Sequence, residues 1–200
     1  MAVISGGTTL IDNGALDAGV STGDLILLST QTASASASIS FTSDIDSTYD
    51  SYVFKFYNIH PATDTVDFQF QGSTDSGSNY NTTMTTTYFR AYHDEADTGT
   101  ALGYSTGNDL AQSTSFQNLI DDVGNGNDES ASGMLQIFNP SSTTFVKHFI
   151  SKMNYYQSSD YTINSYIAGY FNTTSAIDAV QFKMSSGNID DGIIKMYGVS

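Results

Sequence analysis

The chain has 200 residues, with 21 Asp and Glu against six Lys and Arg and a formal charge of −15. It has no cysteine, which excludes disulfides and thiolate metal sites, and no apolar run approaches the ~20 residues that cross a bilayer as a helix. The charge argues against nucleic acid and membrane as partners, because binding phosphate needs clustered cations. The six cations (Lys55, Arg90, Lys147, Lys152, Lys183 and Lys195) do not cluster in sequence.

The length suits one domain carrying an arm. Residues 1–23 are rich in Gly and Thr and hold scattered apolar residues, so they are expected to be an extended assembly arm. Its docking residues would be Ile4, Leu10, Ile11, Leu16 and Val20. Residues 24–200 are dominated by period-2 alternation, the signature of half-buried strands. Ala33, Ala35, Ala37, Ile39 and Phe41 alternate with serines. Phe54 and Phe56 share one face of the run 51–58, and Val66, Phe68 and Phe70 share one face of 65–71. With the turn His60-Pro61-Ala62-Thr63-Asp64 between them, these two runs read as an antiparallel hairpin.

Further strands are expected at 83–92, 133–138, 143–153, 163–171, 179–185 and 192–199, separated by loops rich in Gly, Asn, Ser and Asp. Residues 105–120 could hold a short helix. Near the end, Gly192 suits a tight turn after Asp190-Asp191, and Ile194 and Met196 share a face opposite Lys195 and Tyr197. Nothing alternates with strands at helical length, so the fold class is all-β, an antiparallel β-sandwich of jelly-roll-like type. Its core is expected to be built from Phe54, Phe56, Phe68, Phe70, Leu135, Ile137, Phe182, Met184, Ile194 and Met196, or from their alternate-face partners.

Motifs for chemistry are sparse. His60, His93 and His148 have no partner histidine at metal-binding spacing. No nucleophile elbow, phosphate loop or dinucleotide fingerprint occurs, and Glu95 and Glu129 are the only glutamates. An enzyme is therefore not expected, nor is a cofactor. The acidic stretches Asp44-Asp46-Asp50 and Asp121-Asp122-Asp128 offer hard oxygen ligands at short spacing and are candidate calcium loops, though both are also good turn sequences. Tyr155, Tyr156 and Tyr161, in MNYYQSSDY, are candidate ligand contacts, since exposed aromatic faces beside Asp and Asn suit a sugar surface.

Ser, Thr, Asn, Gly, Asp and Tyr dominate the composition, as in proteins that work outside cells. The opening MAVISGGTTLIDNGALDAG nevertheless has no basic, apolar and small-residue sequence of an export signal. That pairing suggests a virion component made in the host bacterial cytoplasm and released by lysis. The ending SSGNIDDGIIKMYGVS resembles the C-terminal signature, G-x-I-K-[LM]-Y-G, of small β-rich virion proteins of tailed phages, marine ones especially. The segments GSNYNTTMTTTYFRAY, FNPSSTTFVKHFIS and SAIDAVQFKMSSGNI resemble the same family, and the likeness extends over most of 24–200. It implies a non-enzymatic virion surface protein, either a capsid decoration protein or a short fibre. Such a protein would form a homo-oligomer, most simply a homotrimer, and contact other virion proteins of the shell or tail. A receptor- or glycan-binding fibre tip is the alternative, and a polysaccharide hydrolase a third reading.

Overall fold

A computed structural model describes residues 3–5, 8–12, 15–16 and 25–200. The protein is all-β and antiparallel. The first three strands, β1 (Val3–Ser5), β2 (Thr8–Asp12) and β3 (Ala15–Leu16), form a sheet of their own in the order β1-β2-β3. The connecting dipeptides Gly6-Gly7 and Asn13-Gly14 are sequences favoured in two-residue hairpin loops. The segment expected as an arm thus pairs with itself over residues 3–16. Leu10 and Ile11 fall on β2 and Leu16 on β3, whereas Val20 lies outside the described residues.

The other twelve strands form one sheet that curls into two layers. The larger layer contains β4 (Ile26–Ser36), β15 (Ile189–Val199), β6 (Ser51–Pro61), β11 (Ala131–Phe138), β12 (Lys147–Gln157), β13 (Tyr161–Phe171), β8 (Met84–Asp94) and β9 (Thr100–Tyr104), side by side in that order. The smaller contains β5 (Ile39–Phe41), β14 (Ala179–Met184), β7 (Val66–Ser73) and β10 (Gln117–Val123). A single pairing, Val123 with Gln157, joins β10 to β12, so the curl is nearly closed. The chain crosses between layers repeatedly, in the manner of a jelly roll.

Alternation decides what is buried. Met196, Phe54, Leu135, Ser151, Ile167 and Tyr88 are successive cross-strand partners on the inner face, and every one is buried. All ten residues expected in the core are buried. Phe182 sits at the centre, with the rings of Phe41, Phe54, Phe56, Phe68 and Phe70 each within 6.4 Å, centroid to centroid.

Four expectations change. β6 and β7 are not a hairpin: β6 pairs with β15 and β11, and β7 with β10 and β14. Each carries a phenylalanine face too large to leave wet, and placing the strands in opposite layers buries both faces against each other. The run 33–41 is not one strand either, because the chain changes layer at residues 37–38 between β4 and β5. Residues 105–120 hold no helix; an irregular stretch there leads into β10. Gly192 lies inside β15, where the pairing with β6 shifts register. Its φ of +131° and the 2.9 Å that would separate a Cβ from the Ile59 Cα reserve the position for glycine.

Candidate interaction surface

The outer faces of the two layers differ in chemistry. On the smaller layer, Asp67, Gln69, Asn118, Gln181 and Lys183 alternate with core residues, and Gln69 donates to the Asn118 carbonyl at 2.7 Å. That is the ordinary solvated face of an antiparallel sheet. The larger layer departs from it. Lys195 pairs with Lys55, Lys55 with Met134, Met134 with Lys152, Lys152 with Tyr166, Tyr166 with Phe89, and Phe89 with Tyr104. This row crosses seven strands one residue out of step with the buried row, so it faces outward throughout.

Large apolar side chains lie uncovered along this face: Ile150 is 51% exposed, Phe89 41% and Met134 38%. An open groove of about 430 Å³ runs between Phe89, Met134, Ile150, Tyr166 and Ala168. A second, of about 320 Å³, shares Ile150 and Ala168 and continues toward His148 and Tyr170. Phe89 and Tyr166, partners on adjacent strands, stack at 5.0 Å with their planes 8° apart. Contiguous exposed apolar area of this kind is uncommon on a soluble monomer and marks contact surfaces.

Three of the six cations belong to this face, and each lies over a ring. Lys152 sits 5.4 Å from the Tyr166 centroid, Lys55 5.3 Å from Tyr197, and Lys195 5.6 Å from Tyr57. Among the described residues none of the three forms an ion pair. The other cations are engaged elsewhere. Lys183 lies over the Phe116 ring, and Lys147 is buried, donating to the carbonyls of Phe145 and Thr173 at 3.0 and 2.8 Å, with its pKa lowered by burial.

Arg90 is half-buried at the edge of the interior and pairs with the buried Asp121. Asp121 also accepts from the hydroxyls of Tyr155 and Tyr88 and from the Asn108 amide. Burial and the Asp121 charge push both tyrosine pKa values up, so they stay protonated donors. Every lone pair of that carboxylate has a use, and the cluster ties β8, β10 and β12 together.

This arrangement corrects two candidate sites. Asp121 and Asp122 lie on strand β10, with Asp121 turned inward, while Asp128 sits in the loop beyond. Among the described residues no three metal-binding side chains converge. Asp44, Asp46 and Asp50 also remain apart. Asp46 caps its own turn, accepting from the Thr48 amide at 2.8 Å and the Tyr52 hydroxyl at 3.1 Å, and the Thr48 hydrogen bonds hold its pKa low. Tyr155 is not an exposed contact. The alternation of β12 runs on to Gln157 and places Tyr155 inside, 2% exposed. Tyr156 and Tyr161 remain partly exposed near the turn between β12 and β13, and Tyr156 donates to Asp160 at 3.0 Å. Tyr161 lines a hollow of about 170 Å³ with Arg90, Tyr92, Asp122, Gln157 and Ile163.

The carboxylates are also sorted by topology. The loops and strand ends at the Pro61, Asp94, Val123, Gln157 and Ile189 end of the strands carry Asp64, Asp94, Glu95, Asp97, Asp128, Glu129, Asp160, Asp190 and Asp191, with no Lys or Arg. The lysine-bearing outer ladder escapes a reading of the sequence for a simple reason. Lys55, Lys152 and Lys195 are far apart in the chain and become neighbours only through strand register. Comparison with protein-family models, with curated proteins and with solved structures finds no match to this chain.

Proposed function

We propose that the protein is a non-enzymatic structural protein of a phage virion surface, a capsid decoration protein or short fibre, that works as a homo-oligomer, most simply a trimer. The observation that carries the assembly half of this reading is the uncovered apolar face of the larger layer, where Phe89, Met134 and Ile150 stand in solvent. An apolar face of this kind has a physical reason where a partner covers it. The virion half is supported by the sequence likeness over most of residues 24–200 and by its closing GIIKMYG. The inward Asp121 cluster favours a scaffold role, since its carboxylate is committed to Arg90 and two tyrosines.

Cryo-electron microscopy of purified particles of the phage encoding this chain tests the reading. Density for the sandwich at a symmetric position on the shell or tail is expected; its absence from the particles, checked by mass spectrometry, would refute it.

A second reading, a receptor- or glycan-binding tip, is favoured by one feature. The hollow beside Tyr161 combines aromatic edges with Arg90, Asp122 and Gln157, a combination suited to sugar hydroxyls. Glycan-array binding by the full chain, lost in Tyr161→Ala, would support it.

A further inference from the structure

We propose that the lysine-lined apolar face of the larger layer binds the N-terminal segment, residues 1–24, of a second copy of this chain. The inference rests on the assembly reading above and names the surfaces that assembly uses.

Charge selects the occupant first. The groove and its row contribute Lys55, Lys152 and Lys195 and no carboxylate. Residues 1–24 contribute Asp12, Asp17 and Asp24 and no Lys or Arg. Two copies of the outer face meeting directly would set lysine against lysine, so an isologous contact is disfavoured and a segment-into-face contact favoured.

Exposure selects it again. Ile4, on β1, is 63% exposed, while Ile150 on the face is 51% exposed. Ile4 and Ile150 both stay open within one copy, so neither covers the other there. The β1–β3 sheet shares no ladder with the described twelve-stranded sheet and can engage another molecule without breaking one.

Position agrees. The segment leads through Leu25, 40% exposed, into β4, the edge strand of the larger layer, where Leu27 is 52% exposed and pairs with Tyr197 of the outer face. It therefore leaves the body at the rim of the face in question. With the β1–β3 pairing kept, the eight residues 17–24 can span at most ~29 Å, close to the roughly 34 Å that eight strands cover at ~4.8 Å spacing, so the sheet can reach a face packed alongside the rim.

The test is the mass of the full chain by sedimentation equilibrium, with folding of each variant checked by circular dichroism. Ile150→Asp and Ile4→Asp alter exposed side chains on the two sides. Lys152→Glu, and Asp12→Lys with Asp17→Lys, reverse charge on each side, and a combined variant carries both reversals. The wild-type chain is expected to be oligomeric, with Ile150→Asp and Ile4→Asp each monomeric. Each one-sided charge reversal should weaken association by roughly tenfold or more, about 1.4 kcal/mol, and the combined variant should recover most of it. A monomeric wild-type chain at ~100 µM would overturn the proposal. So would loss of assembly in Ile150→Asp alone, which would place another part of the partner, such as the carboxylate-rich end, on the face. Loss in Ile4→Asp alone would mean that the segment binds elsewhere. None of these results depends on finding the chain in particles, so they separate this proposal from the virion reading.

Discussion

Phe56 and Phe182 meet edge to face across the two layers, ring centroids 5.1 Å apart, and Phe68, stacked beside Phe182 at 5.9 Å, closes a triangle with Phe56 at 5.4 Å. Phe182 is the ring on which both sheets close. Replacing it with alanine should cost about 3–5 kcal/mol, because the surrounding rings sit on rigid strands that cannot collapse into the space. Chemical denaturation of Phe182→Ala measures this directly, and a loss under ~1 kcal/mol would show that the core lies elsewhere.

Asp121 is the second keystone. Asp121→Ala strands the Arg90 guanidinium and leaves the Tyr155 and Tyr88 hydroxyls without their acceptor. A loss of about 2–3 kcal/mol is expected, chiefly from the two buried tyrosine hydroxyls left without an acceptor, since the half-buried guanidinium keeps access to water. Asp121→Asn, which keeps an acceptor, should lose less. Equal stability of the alanine variant and the wild type would remove the cluster from the account.

Stability should peak on the acidic side of neutrality. Burial, and then the Asp121 charge, raise the pKa of Asp122; burial does the same for Asp67. The folded state therefore holds these protons more readily than the unfolded chain, so their ionised forms cost stability at pH 7. That cost fades as pH falls through the raised values. Asp46, Asp75 and Asp94 lie below 3.8, held down chiefly by hydrogen bonds from Thr48, Asn79 and Thr98. Their contribution is present above 3.8 and lost as pH drops through their folded values. The melting temperature should thus rise from pH 7 toward pH 5 and fall below pH 4. Asp122→Asn, at a backbone φ of 53° that asparagine tolerates, should melt higher than wild type at pH 7 and converge with it near pH 4.

Salt should stabilise the fold. Nine carboxylates crowd one end of the strands without a Lys or Arg among them. Screening shortens from ~30 Å at 0.01 M to ~8 Å at 0.15 M salt. The melting temperature is expected to climb over that interval and level off above it. A flat profile would mean that these side chains are already far enough apart to be independent.

Much of this protein is written in its alternation. The core positions of β6, β7, β11, β14 and β15 follow from period-2 patterning, because large apolar residues recur at every second position along one face of each strand. Partner choice does not follow. Phe54–Phe56 and Phe68–Phe70 fit a hairpin as well as two opposed layers, and only the rest of the sheet decides between them. β9, TALGY, was illegible because all five residues are exposed and carry no alternation of burial. Tyr155 misled because the polar neighbours Asn154 and Gln157 disguised the last turn of a strand whose inner face still ran Met153, Tyr155. The lysine row was beyond reach without register, since its members come from β6, β12 and β15 and meet only when those strands align.

The central claim, that the outer face of the larger layer is covered by a second copy, is tested most directly by methionine oxidation of the full chain at low and high protein concentration. Met134 lies on the face and is 38% exposed, while Met184 and Met196 are core residues at 3% and 0% and serve as internal references. Peptide mass spectrometry should find Met134 readily oxidised in dilute protein and strongly protected in concentrated protein, with Met184 and Met196 slow in both. Oxidation of Met134 at the same rate at both concentrations would contradict the account.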